Sequence, residues 1–323
     1  MQSCHSFPLR SAVFDDPTLV SHGGLVPAMA LAGRADLGEL ADRFLTVPGG
    51  AGHAPGAKVT AVVAGMVTGA DSIADLGVLR HGGMPRLFSG VRAPSTLGTF
   101  LRAFRFGHVR QLDAVAARFL AGLARRSPLI TAGEAVTYVD IDDTMRATFG
   151  YAKQGAGYGY SGVKGLNALL ATVSTGSSAP VIVATRLRKG SANSARGAAR
   201  LVADALRTTA ACGVTGTVVL RADSAHYGRE VIAAGRRQQA RFSITARKDR
   251  AITAAIASIP DDGWTPIRYP RAVFDEQLPV LGQRRRSRRD PVYRFRFQTH
   301  NATGHREVDR APSPRPEPRP YGC

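Results

Sequence analysis

Two short acidic runs carry the chain's most suggestive chemistry: Val136-Thr-Tyr-Val-Asp-Ile-Asp-Asp-Thr144 and Val218-Val-Leu-Arg-Ala-Asp-Ser-Ala-His-Tyr227. Each begins with β-branched and apolar residues and ends in carboxylates, the pattern of a buried strand that delivers an acid at its end. Residues two apart on a strand share a face, so Asp140 and Asp142 point one way and Asp143 the other. If the two strands are neighbours, a carboxylate from each can hold Mg²⁺ or Mn²⁺, hard cations that take oxygen ligands and keep waters. Metal ions so held activate an attacking oxygen and stabilise the leaving oxygen of a phosphodiester. The plainer alternative is that Asp143 caps a turn and Asp223 caps the next helix.

The elements that would position these acids follow from periodicity. Residues 1–130 read as mostly helical. Apolar residues recur at three and four in Leu37–Leu45 and Val59–Leu79, Ser95 is a candidate N-cap for Thr96–Phe106, and Val109–Arg125 is amphipathic. The pattern then changes. Val136–Asp142, Leu166–Val173 and Val181–Thr185 read as strands, Ser194–Cys212 as a helix and Thr217–Ala222 as the second acidic strand. Tyr227–Arg237 is a further helix, Arg241–Ala246 a strand and Asp249–Ile259 a helix. Three strands followed by alternating helix and strand describe an α/β core with a mixed sheet.

Bulk composition narrows the partners. The formal net charge is +19 and the sequence pI about 11.0, which favours a polyanion, nucleic acid ahead of a membrane surface. Codon bias in a GC-rich genome is the competing explanation of so much Arg. Cys4, Cys212 and Cys323 are too dispersed for a disulfide framework or a zinc spacing. The first residues lack the charged and apolar regions of a signal peptide, and Val59–Gly69 is too short to span a bilayer. A cytoplasmic, nucleoid-associated protein is the expectation.

Basic residues between the acidic runs fit a phosphate backbone. Lys153, Lys164, Arg186, Arg188 and Lys189 surround the glycine-rich turns Gly155–Gly159 and Gly190–Asn193. Small residues let a polyanion approach, and Lys or Arg neutralise it without reading sequence. Ordinary hairpin glycines explain the turns equally well. Tyr151, Tyr158 and Tyr160 can stack on bases, although packing is the expected fate of at least two of them.

Five blocks, in order, resemble a DDE transposase of bacterial insertion sequences, of the IS-thirteen-eighty group. They are Leu79-Arg-His-Gly-Gly-Met-Pro85, Gly90-Val-Arg-Ala-Pro-Ser-Thr-Leu-Gly-Thr-Phe100, Tyr138–Thr144, Gly150-Tyr-Ala-Lys-Gln-Gly155 and Arg221-Ala-Asp-Ser-Ala225. The resemblance implies an RNase H-like core behind a helical DNA-binding region. It also implies divalent-metal-dependent DNA strand cleavage and transfer at the terminal inverted repeats of the element, with two copies on paired ends. It maps the first catalytic aspartate onto Asp142, with Asp140 as the rival, and the second onto Asp223. The third acid of the family, a Glu on a later helix, has no counterpart; Glu276 and Glu307 lack the helical setting.

The end of the chain differs in texture. Residues 278–323 hold 11 Arg and 4 acidic residues, +7 of the +19, and read as a basic, Pro/Arg-rich, disordered tail. Codons for Gln283–Arg294 and Gln298–Val308, displaced by one nucleotide, can yield text resembling the family. A frameshift between Gln277 and Leu278 is therefore expected, with loss of the third acid and of catalysis. The domains would be 1–130, 131–277 and 278–323. A different class also fits the first acidic run: Asp140-Ile-Asp-Asp-Thr144 matches the DxDxT of haloacid dehalogenase-type phosphatases, with Asp140 as nucleophile. A non-catalytic DNA-binding remnant is the third reading.

Overall fold

The computed structural model describes residues 17–131, 134–149, 153–266, 293–299 and 302–307. The chain divides into two compact units, Met1–Ser127 and Pro128–Cys323.

The first unit is helical: α1 (Leu25–Arg34), α2 (Leu37–Phe44), α3 (Pro55–Val67), the short α4 (Met84–Leu87), α5 (Pro94–Arg102) and α6 (Phe106–Ala124). Its core joins Ala32, Leu37, Ala41, Val59, Phe100 and Val115. The apolar run expected as one helix to Leu79 stops at Val67. Gly69 takes a left-handed φ of 92°, the conformation that ends helices, and a 3-10 turn covers Ala74–Arg80. Ser95 is not the N-cap of α5. That helix begins at Pro94 on an extended Ala93, because proline already holds a helical φ and has no N–H to satisfy. Lys58 is buried. Its ammonium donates to the carbonyls of Ala51 (2.8 Å) and His53 and lies 5.4 Å from the Phe100 ring centroid.

The second unit is built on a mixed sheet. Strands β1 (Val136–Ala147), β2 (Gly157–Tyr158), β3 (Lys164–Ser174), β4 (Val181–Lys189), β5 (Thr217–Ala222) and β6 (Arg241–Ile244) alternate in the later part with helices α7 (Ala198–Ala211), α8 (Arg229–Arg237) and α9 (Arg250–Ala257). The strands run in the order β2-β3-β1-β5-β6, with β4 also on β3. β1, β3 and β4 form an antiparallel meander, whereas β5 lies parallel to β1 and β6 parallel to β5. An antiparallel meander followed by parallel strands reached through helices is the RNase H-like arrangement.

Period two organises the core. Val139 and Ile141 on β1, Leu169, Ala171 and Val173 on β3, Val183 on β4 and Leu220 on β5 are buried. On α7, Leu201, Val202, Ala205 and Thr209 are fully buried, a helical stripe at three and four that packs on β3, β4 and β1. Two glycines, Gly165 and Gly190, are required where strand ends meet. A Cβ on Gly190 would lie 2.1 Å from the Gly165 carbonyl oxygen and 2.2 Å from that of Gly157. Gly190 thus serves backbone packing, which corrects its reading as part of a phosphate approach.

The tail expected to lack structure contains two paired strands, β8 (Tyr293–Thr299) and β9 (Ala302–Glu307), joined to β7 (Trp264–Pro266). Tyr293-Arg-Phe-Arg-Phe-Gln-Thr299 alternates aromatic and polar residues, a strand pattern that the Arg-rich composition obscured. The remainder of 267–323, including Gln277, Leu278 and Glu276, lies outside the described residues.

Candidate active site

The parallel register decides which acids can meet. Asp140 pairs with Arg221 and Ile141 with Ala222 across β1 and β5, so the next step brings Asp142, midway along β1, to the level of Asp223, just past the carboxyl end of β5. Both border one cavity of about 880 Å³, which is also lined by Asp143, Asp249, Arg247, Tyr158, Tyr160, Tyr227 and the Ser191–Ala195 loop.

Three consecutive acids on β1 have three different environments. Asp140 is clasped by Arg221, Nε to Oδ1 at 2.6 Å and Nη2 to Oδ2 at 2.7 Å, and the same guanidinium lies 4.2 Å from the Tyr138 ring centroid. Donating to that carboxylate raises the pKa of Arg221. Both carboxylate oxygens are spent, and Asp140 does not border the cavity. Asp143 turns to the other face. Its Oδ2 accepts from Asn167 Nδ2 (2.7 Å), Arg188 Nη2 (2.8 Å) and Ser194 Oγ (3.2 Å), with both charged side chains nearly fully buried. Asp142 is exposed and accepts only from the Asp143 amide at 2.7 Å.

Asp223 sits just past β5, where the chain leaves the sheet in a 3-10 turn, Ser224–His226. Its Oδ1 accepts from the Ala225 amide (3.0 Å) and pairs with His226 Nδ1 (2.8 Å). The capping role foreseen for it is therefore real, and Oδ2 is left for other work. His226 is completely buried, and its Nε2 has no hydrogen-bond partner.

The basic residues divide in the same way. Arg188 is buried, and its guanidinium holds Asp143, the Asn167 amide oxygen and the carbonyls of Asn193, Ser194 and Arg196. Burial lowers its pKa while Asp143 opposes that shift, and an Arg remains charged in either case. It fastens the cavity wall to the sheet and cannot also meet a phosphate, a correction to its expected role. Arg186 is half-buried and paired with Asp204 at 3.1 Å, so it too serves the fold. Lys153 and Lys189 are exposed and Lys164 half-buried, positions open to a backbone.

Sequence reading overlooked Asp249, Arg247 and Tyr227. Asp249 caps α9 through Ile252 N (2.8 Å), a role its place before an apolar helix signals; nothing in the sequence pattern signals Arg247. Among the described residues no group of three His, Cys, Asp or Glu side chains is arranged to hold a metal ion. Asp142 and the remaining oxygen of Asp223 nonetheless fit a hard cation that keeps several waters.

The family description "Transposase DDE domain group 1" matches residues 10–299. The chain is a DDE transposase-family member. No curated protein matches it. Among solved structures it is similar to the Mos1 transposase paired-end complex with left transposon end, at 12% identity and a TM-score of 0.23 over 57% of each chain. It is also similar to the Mos1 strand transfer complex, at 14% identity and 0.20 over 57% of this chain and 56% of that one. The chain spans little more than half the length of those transposase chains. The phosphatase reading is disfavoured on separate grounds, because its proposed nucleophile, Asp140, has both carboxylate oxygens engaged by Arg221. Among the described residues no helix is long and apolar enough to cross a membrane.

Proposed function

We propose that this DDE transposase-family chain belongs to the IS-thirteen-eighty group and binds the duplex ends of an insertion sequence, with Asp142 and Asp223 as the acids of the strand-cleavage site. The register that brings those two level on neighbouring strands, where the pairing of β1 with β5 stops, with both bordering one cavity, carries the reading. Asp140 is assigned to Arg221 and not to catalysis. Mg²⁺ or Mn²⁺ held by the two carboxylates would supply an activated water and offset charge on the leaving oxygen. Arg247, on the cavity wall, is the cation nearest to hand for a phosphate there. Exposed Arg34, Arg43, Arg86, Arg102 and Arg118 in the helical unit are the proposed duplex contacts, with Lys153, Lys164 and Lys189 beside the core; two copies on paired ends complete the assembly.

The chain is further proposed to be inactive in cleavage, because no Glu that could be the family's third acid lines the cavity among the described residues. A frameshift between Gln277 and Leu278 is the proposed cause. The family match continues to residue 299, across that junction, so the nucleotides around the Gln277 codon are the deciding observation. A stop or unrelated text in the displaced frame removes the frameshift. For the function itself, the full chain is titrated with duplexes cut from the DNA flanking its gene, at several salt concentrations, and with Mn²⁺ followed by its electron paramagnetic resonance signal. Salt-sensitive binding and Mn²⁺ uptake that fails in Asp142→Asn and Asp223→Asn are expected. Binding indifferent to salt sinks the DNA reading, and Mg²⁺-dependent cleavage of the duplex sinks the claim of inactivity.

A further inference from the structure

Among the described residues, no aromatic ring or cation packs on the rings of the three tyrosines around the cavity. Tyr158 is 68% exposed, Tyr160 83% and Tyr227 47%, and all three border the cavity that Asp142 and Asp223 share. None has a ring contact among the described residues. Core packing, the expected fate of at least two of Tyr151, Tyr158 and Tyr160, therefore fails for Tyr158 and Tyr160; Tyr151 lies outside the described residues.

Their placement is fixed by the backbone. Gly159 faces inward: a Cβ there would meet Met145 Sδ at 2.7 Å and the Gly190 carbonyl oxygen at 3.1 Å. Tyr158 ends β2, and Tyr160 sits in the turn that follows, closed by the Gly162 amide on the Gly159 carbonyl at 3.1 Å; both rings are exposed. Tyr227 closes the 3-10 turn that starts at Asp223, so its ring is tied to the second acid by four residues of chain. The wall between offers hydroxyl and amide groups from Ser191, Asn193 and Ser224.

An exposed aromatic ring gains most from a flat apolar face. Paired bases within a duplex have their faces covered by their neighbours, whereas unpaired bases leave theirs free to stack on side chains. We propose that Tyr158, Tyr160 and Tyr227 form a stacking platform for unpaired nucleobases of a DNA strand passing Asp142 and Asp223. The proposal deepens the DNA reading above and rests on it. Basic Lys153 and Lys189, exposed on the flanking segments, complement the strand's phosphates.

The test uses the full chain and two DNAs: a matched duplex, and the same duplex with a short unpaired 3′ extension carrying 2-aminopurine. Wild type is expected to bind the extended DNA more tightly and to quench the 2-aminopurine as it stacks. Tyr158→Ala with Tyr160→Ala should weaken that binding by about tenfold or more, leaving matched-duplex affinity and its salt dependence unchanged; Tyr158→Phe with Tyr160→Phe should restore it. Equal affinity of wild type for both DNAs overturns the platform while sparing the DNA reading. Binding of neither DNA overturns both. A fall in melting temperature or a change of oligomeric state in the Ala variant, without loss of discrimination, assigns the rings to packing and also overturns it.

Discussion

Asp143 Oδ2 lies 2.8 Å from Arg188 Nη2, in an ion pair almost wholly removed from solvent, while Asp142 one residue earlier faces the cavity in the open. Adjacent aspartates thus have opposite tasks, because a strand sends them to opposite faces. Losing one partner of a buried pair leaves an uncompensated charge, at a cost of about 3–5 kcal/mol. Asp143→Ala is expected to lower stability to urea by that amount, whereas Asp142→Ala shifts it by less than about 0.5 kcal/mol. Equal effects would contradict this division.

His226 is expected to aim Asp223. With its Nδ1 on Asp223 Oδ1, it leaves Oδ2 for a cation. Removing a side chain that orients a metal ligand typically costs about tenfold to a hundredfold in metal affinity. His226→Phe, which fills the space without the hydrogen bond, should weaken Mn²⁺ binding by that factor. His226→Asn, whose amide can reach the same oxygen, should recover most of it. Unchanged Mn²⁺ affinity in the Phe variant would show that His226 only packs.

Acid sensitivity has a source at Glu134. Hydrogen bonds from the Ser177 hydroxyl, foremost, and the Gly176 amide hold its carboxyl below the ordinary glutamate value. A depressed folded pKa contributes stability that is present above the unfolded value of about 4.3 and is lost as pH falls through the folded one. Urea midpoints of wild type and Glu134→Gln, measured from pH 6 down to the acid limit, should therefore converge below about pH 4.3. A gap that stays constant with pH would remove Glu134 as the cause.

Gly190 separates packing from ligand approach. A methyl group at this position has two carbonyl oxygens within 2.2 Å, so Gly190→Ala should cost about 1–3 kcal/mol in thermal or urea unfolding. If the glycine instead served a phosphate, stability would be unchanged and salt-sensitive DNA binding alone would weaken.

Much of the second unit was legible in the sequence, for identifiable reasons. The β-branched lead-ins to Asp142 and Asp223, and the three-and-four stripe of α7, report burial on one face, and burial is what sequence periodicity encodes. Helix and strand ends were less legible. Pro94 displaced the cap expected at Ser95, Gly69 cut the run after Val67, and β1 and β4 ran past their expected ends to Ala147 and Lys189. Residues 293–307 were hidden by their arginines, although the aromatic alternation of β8 was present.

By itself the sequence determined that two strands would each carry an acid behind an apolar lead-in and that Asp140 and Asp142 would oppose Asp143. It also determined that the chain would read as a DDE transposase, since motif order needs no tertiary contact. Only the tertiary structure decided among the acids and bases. Arg221 claimed Asp140, Arg188 went into the core with Asp143, and Asp249, Arg247 and three tyrosines met around one cavity. Those assignments depend on register and on which partner lies within a few ångströms, and residues so distant along the chain acquire neighbours only when the sheet forms.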